Sequence, residues 1–171
     1  HPPTPQPHAP VPTTVAGYEV MGVLGRGGMG VVYKARDPLL CRVVAVKTVR
    51  AVASGGADLH LLSQRFRLEG QVLARLRHEA IVPIYEARVQ DGDLCLVMEY
   101  EPGGTLADRR ARYAAEGPAA VLPLMERVAR AIAYVHRQGV LHRDLKPANL
   151  LFGADEQVRV SDFGLAKLMS E

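Results

Sequence analysis

The chain has 171 residues, a formal net charge of +3, and 48% hydrophobic residues, enough apolar material for a real core and too little charge bias for a disordered chain. Its Lys and Arg residues are scattered rather than gathered with aromatics, which argues against nucleic-acid binding. No run of about 18 apolar residues spans a membrane, so any anchor is expected outside this segment, and the two widely separated cysteines fit a reducing cytoplasm.

Residues 1–16 are rich in proline and are expected to form a disordered, solvated linker. From Tyr18 the pattern turns to β-runs at 18–24, 31–35 and 43–49, the first two joined by Gly25-Arg26-Gly27-Gly28-Met29-Gly30. A helical period over 59–77 places Leu62, Phe66, Leu73 and Leu76 on one face, with Glu69 expected on it too. Two more strands are predicted at 81–87 and 94–99 around the turn signal Gln90-Asp91-Gly92-Asp93. Pro102-Gly103-Gly104 breaks the pattern and predicts a hinge between a sheet-rich lobe and a helical one. A second helical stripe, Leu124, Val128, Ala131, Ile132 and Val135, runs up to Gly139, a residue suited to ending a helix.

The glycines at 25, 27 and 30 fit the spacing G-x-G-x-x-G, which dinucleotide-binding domains share. Such a fingerprint must open a helix, but Gly30 leads into Val31-Val32-Tyr33, so the loop reads as a hairpin whose backbone N–H groups approach phosphates. In Val43-Val44-Ala45-Val46-Lys47 the two-residue period puts Ala45 and Lys47 on one face, leaving room for a flat base beside a phosphate-seeking ammonium. A carboxylate on an apolar helical face needs a cation, and Lys47 is the expected partner of Glu69, with neighbouring Arg65 or Arg67 on the solvent side as the minority alternative. Gly70 in mid-helix costs about 1 kcal/mol relative to alanine, so Gly70→Ala is expected to stabilise the helix. Further on, His142-Arg143-Asp144-Leu145-Lys146-Pro147-Ala148-Asn149 and Asp162-Phe163-Gly164 bring two acids, a lysine and an amide into a short stretch.

Taken singly, each polar residue is more simply a surface or capping group; five motifs in one order are not. The chain from Gly17 onward resembles the bacterial eukaryotic-like (Hanks-type) serine/threonine protein kinases. The resemblance implies an α+β, protein-kinase-like fold: a small antiparallel N-lobe with one regulatory helix and hinge at 17–101, then a partial helical C-lobe at 102–171. Its activation segment would continue to an Ala-Pro-Glu motif that this sequence does not contain, so the chain is expected to be a catalytic-domain fragment, inactive alone.

By the same resemblance Asp144 is the catalytic base and Lys146 neutralises the γ-phosphate, while Lys47 and Glu69 form the strand–helix pair. Asn149 and Asp162 would ligate Mg2+. ATP would be bound by Leu24, Gly25, Gly27, Gly30, Val32, Ala45, Lys47 and Leu151. Met98 stands as gatekeeper and Glu99 through Glu101 as the hinge backbone facing adenine. Leu73, Ile84, His142 and Phe163 would stack into an apolar column joining the lobes. The implied partners are ATP, Mg2+ and proteins bearing Ser or Thr, with a kinase dimer left open for a longer parent protein. Two rival readings stand beside it: a non-catalytic ATP-binding scaffold, which retention of the polar set argues against, and a small-molecule kinase of similar fold, which the Leu145-Lys146-Pro147 context disfavours.

Overall fold

The computed structural model describes residues 11–27, 30–50 and 56–163. Among these residues, eight strands and three α-helices are arranged as a six-stranded sheet, a helix across it, and a helical region that carries a small hairpin. The sheet is formed by β1 (Thr14–Val15), β2 (Tyr18–Gly27), β3 (Gly30–Arg36), β4 (Val43–Arg50), β5 (Ile84–Gln90) and β6 (Asp93–Glu99) in the order β1-β2-β3-β4-β6-β5. All neighbours run antiparallel.

The nearly unbroken apolar run of β4 has a simple cause: the strand is covered on both faces. Ala45 and Val49 join Leu94, Leu96 and Met98 in the main core. Val44 and Val46, pointing the other way, pack with Ala16, Tyr18, Ala35, Cys95 and Val97 in a second cluster. Burial there pushes the Cys95 thiol up to about 11, in keeping with an inert, reduced side chain.

The expected linker 1–16 ends too late. Thr14 and Val15 pair with Glu19 and Tyr18 as an edge strand, Ala16 is buried, and its carbonyl accepts from Arg88 Nη1 at 2.6 Å. Residues 1–10 lie outside the described residues.

Helix α1 (Gly56–Ala74) packs against β5, and its buried side is marked by Phe66, Gly70 and Leu73, spaced i, i+4, i+7. Two expectations fail here. Glu69 is exposed, one position off the buried stripe. Gly70 faces Ala87 of β5 so closely that an added Cβ would collide with the Ala87 Cβ. Close helix–sheet approach, and not helix propensity, therefore decides this position.

The chain then leaves β6 through the hinge to α2 (Arg110–Glu116) and α3 (Pro118–Arg137). Pro118 begins α3 at a position where its missing N–H costs nothing, and Leu124, Val128, Ala131 and Val135 face the core as the stripe predicts. Gly139 follows with φ +75, the left-handed conformation suited to glycine after a helix end. The hairpin of β7 (Leu150–Phe152) and β8 (Val158–Val160) completes the described fold. It docks on both parts: Ile81 bridges to Val160 beneath the sheet, and Thr105 bridges to Leu151 beside the hinge.

Candidate active site

Strand alternation builds the roof of a cleft. Ala45 pairs with Met98 across β4 and β6, and Val32 pairs with Lys47 across β3 and β4, so these side chains share one face of the sheet. With Leu24 and Gly25 above and Leu151 below, they line a cleft of about 320 Å³ whose back wall is Met98 and whose side is Glu99 through Pro102. All the expected nucleotide contacts line it except Gly27 and Gly30, which form the closing pair of the β2–β3 hairpin. The apex residues Gly28 and Met29 lie outside the described residues.

Hinge backbone groups are dealt out unevenly. The Glu99 amide donates to Pro83 O at 2.9 Å and the Gly103 amide to Phe152 O at 2.8 Å. Between them the Glu101 amide takes no backbone partner among the described residues, which leaves a donor at the cleft edge for the polar rim of a flat base.

At the inner end Lys47 Nζ lies 2.7 Å from Asp162 Oδ1, both side chains being partly buried. The expected partner of this lysine, Glu69, instead lines a separate recess of about 220 Å³ with Leu73, Arg143 and Phe163. Glu69 is exposed, so burial does not point it to Lys47, and the family resemblance is what supports that pair.

The segment His142–Asn149 is fixed by hydrogen bonds within itself and to Ser161 beyond β8. Buried His142 makes a 2.7 Å bond from Nε2 to Ser161 O, and its Nδ1 accepts the Asp144 amide at 3.3 Å. Both bonds suit the neutral tautomer protonated on Nε2, and burial holds the imidazole pKa below its ordinary value. Its ring lies 4.7 Å from that of Phe163, while Leu73 and Ile84 share the core with Phe163, so all four members of the expected column are buried. Arg143 and Asp162 have φ of +63 and +59, a conformation costing about 1–2 kcal/mol at a non-glycine residue.

Asp144 accepts from Lys146 Nζ at 2.8 Å and from Asn149 Nδ2 at 3.2 Å. The lysine foremost, with help from the amide, holds the Asp144 carboxyl below the usual carboxylate range, so it is ionised at neutral pH. Asn149 is itself buried, and its Nδ2 also donates to Asp144 O at 2.8 Å. With the amide nitrogen occupied, Oδ1 is the atom left for a cation. Asn149 and Asp162 thus offer hard oxygen donors of the kind Mg2+ takes, and among the described residues no cluster of three or more His, Cys, Asp or Glu offers a site for a softer metal.

A sequence model described as the protein kinase domain matches residues 18–171. The chain belongs to the protein kinase family. Serine/threonine-protein kinase PknJ of Mycobacterium tuberculosis is 40% identical over 160 residues, 91% of this chain and 26% of that protein. PknB of Mycobacterium leprae is 39% identical over 158 residues, 90% of this chain and 25% of that protein. The chain thus spans about a quarter of the length of these curated relatives. The crystal structure of the Mycobacterium tuberculosis PknI kinase domain superimposes with a TM-score of 0.75 at 34% identity, covering 89% of this chain and 61% of that one. The likeness covers the curled N-lobe sheet and the helices, as the α+β reading expected.

Sequence reasoning missed several cleft residues: Gly104, Thr105, Asp108, Ala148 and Ser161. A signal for two of them was present. Thr105 and Asp108 fit the T-x-x-D capping pattern, and Asp108 Oδ2 accepts from Thr105 N at 2.8 Å and Thr105 Oγ1 at 2.7 Å. Nothing in the sequence placed that box at the cleft mouth.

Proposed function

We propose that this chain carries the nucleotide-binding and catalytic-loop part of a serine/threonine protein kinase that transfers the γ-phosphoryl group of ATP to Ser or Thr hydroxyls of proteins. The observation that carries this reading is the ionised Asp144, fixed by Lys146 and Asn149, below an apolar cleft whose inner end holds the Lys47–Asp162 pair. ATP would supply the phosphoryl group and Mg2+ would screen its charge.

The residues divide the work. The Glu101 amide and the apolar faces of Val32, Ala45 and Leu151 hold and orient the base. Asp162 and Asn149 present oxygens to the cation, and Lys47 presents its ammonium to phosphate oxygens. Asp144 orients the substrate hydroxyl and takes its proton as that oxygen bonds to phosphorus and the bond to the ADP oxygen breaks. Lys146, held against Asp144, offsets charge on the group in transit. A cytoplasmic setting belongs to the same proposal, supported by the buried free thiol of Cys95.

The deciding experiment incubates the intact protein that contains this chain with labelled ATP, Mg2+ and a generic protein substrate. Label recovered on Ser or Thr, and lost in Asp144→Asn, supports the assignment; label that persists in that variant contradicts the role of Asp144.

A further inference from the structure

Between the hinge and the turn joining β7 to β8 lies a charged cluster that phosphoryl transfer itself does not use. From β8, Arg159 Nη1 donates to Glu101 Oε2 at 3.2 Å and to Asp155 Oδ1 at 3.0 Å, and its Nη2 donates to Asp155 Oδ2 at 2.7 Å. Arg109 reaches the same turn from the other side of the hinge. Its Nε and Nη2 donate to Gly103 O at 3.1 Å and 2.7 Å, and Nη2 donates to Glu156 Oε1 at 3.0 Å. The Arg109 guanidinium also lies 3.9 Å from the centre of the Phe152 ring. Two forked cations therefore tie hinge positions 101 and 103 to adjacent acids of one turn.

Two details mark this cluster as more than surface ion pairing. Glu101 is only 8% exposed, and among the described residues its Oε1 is buried with no hydrogen-bond partner and Arg159 is the arginine its carboxylate meets, a costly state for a carboxylate. Burial raises its pKa while Arg159 opposes the rise. Gly153 makes the arrangement sterically feasible, because a Cβ there would collide with the Arg159 guanidinium and lie 2.9 Å from Glu101 Oε2. The fold has kept a hole in β-hairpin packing where that guanidinium passes.

We propose that Arg159 and Arg109 form a double clamp that sets the hinge backbone at Glu101 and Gly103, making them positioning residues for nucleotide binding. The proposal rests on the reading of the cleft as an ATP site. A base bound by backbone groups is sensitive to the direction of those groups, and a misplacement of about 1 Å is enough to misalign them. The clamp holds the hinge alike in the ground and transition states, so its loss acts on KM for ATP and spares kcat.

The test uses the intact protein, with calorimetric ATP titration and steady-state kinetics for the unsubstituted form, Arg159→Met, Arg159→Lys and Arg109→Lys. Lysine keeps the charge and loses the fork. Expected is a rise of about tenfold in KM and Kd for ATP in Arg159→Met with kcat unchanged, and a smaller rise in the two lysine variants. Unchanged ATP affinity in all three single variants, with only a lower melting temperature, would overturn the clamp and leave the cleft assignment standing. A fall in kcat at constant KM would also overturn it. Failure of the unsubstituted protein to bind ATP would overturn the cleft assignment and the clamp together.

Discussion

Lys47 on β4 and Asp162 just beyond β8 meet at 2.7 Å, an ion pair between the sheet and the catalytic region. The ammonium proposed to meet phosphate oxygens is thus held by the carboxylate proposed to meet a metal ion. Each orients the other at the inner end of the cleft, where both side chains remain partly solvated. Nucleotide and Mg2+ would divide the pair between them, giving each charge a new partner.

Lys47→Met should reduce phosphotransfer by at least about 100-fold, the usual effect of deleting one charge-stabilising donor. Stability should fall by only about 1 kcal/mol, because the pair is partly solvated. Transfer of labelled phosphate, set beside a denaturant melt, checks both; turnover near that of the unsubstituted protein would remove Lys47 from the mechanism.

Asp144→Asn and Asp162→Asn should separate chemistry from binding. The first is expected to keep Mg-ATP affinity and lose turnover by about 10²–10⁴-fold, the span of a lost general base. The second should weaken Mg-ATP binding itself. Calorimetric titration distinguishes them, and equal losses of affinity would contradict the division of roles.

Gly70→Ala should destabilise the protein by about 1–3 kcal/mol, the range for overpacking a filled contact. Helix propensity alone would give the opposite sign. Pairing the change with Ala87→Gly should recover most of the loss, since the colliding atom is the Ala87 Cβ. Chemical denaturation of the two variants decides it, and a more stable Gly70→Ala would show that α1 has room to move off β5.

His142 should make stability fall with acid. Its folded-state pKa lies below the ordinary value of about 6.5, so the unfolded chain binds the extra proton first as pH drops. The stabilisation is complete above about 6.5 and is lost as pH falls through the folded value. In His142→Phe the orphaned Ser161 carbonyl lowers stability, but the gap from the unsubstituted protein should narrow between neutral and acid pH. Stability curves that stay parallel across that range would exclude His142 as the titrating group.

The proposed catalytic residues were legible in the sequence because phosphoryl transfer asks for fixed chemical types in a fixed order, and Asp144, Asn149 and Asp162 supply a carboxylate, an amide and a second carboxylate in that order. The sequence misled at α1 for a physical reason. Gly70 holds a buried position but has no side chain to signal it, so the apolar period passed to its neighbour Glu69. The same glycine looked like a flaw in the helix, because its contact, Ala87, lies on another element. The strand at Thr14–Val15 is two residues long, beside a proline-rich stretch, and its evidence is the partner strand. Cleft contacts at Thr105, Asp108 and Ser161 depend on tertiary placement that no local pattern encodes.

The hinge has a consequence for biosynthesis. Its amide at Gly103 and carbonyl at Gly104 are paired with Phe152, and Lys47 meets a residue 115 positions later. A ribosome delivers the sheet and the hinge well before it delivers the segments that shape them. The N-lobe strands pair with near neighbours and form early; the cleft floor comes last, at the cost of closing long loops. Until residues 150–162 have emerged, the nascent sheet exposes the apolar underside on which the base would sit, a period when a chaperone has something to hold.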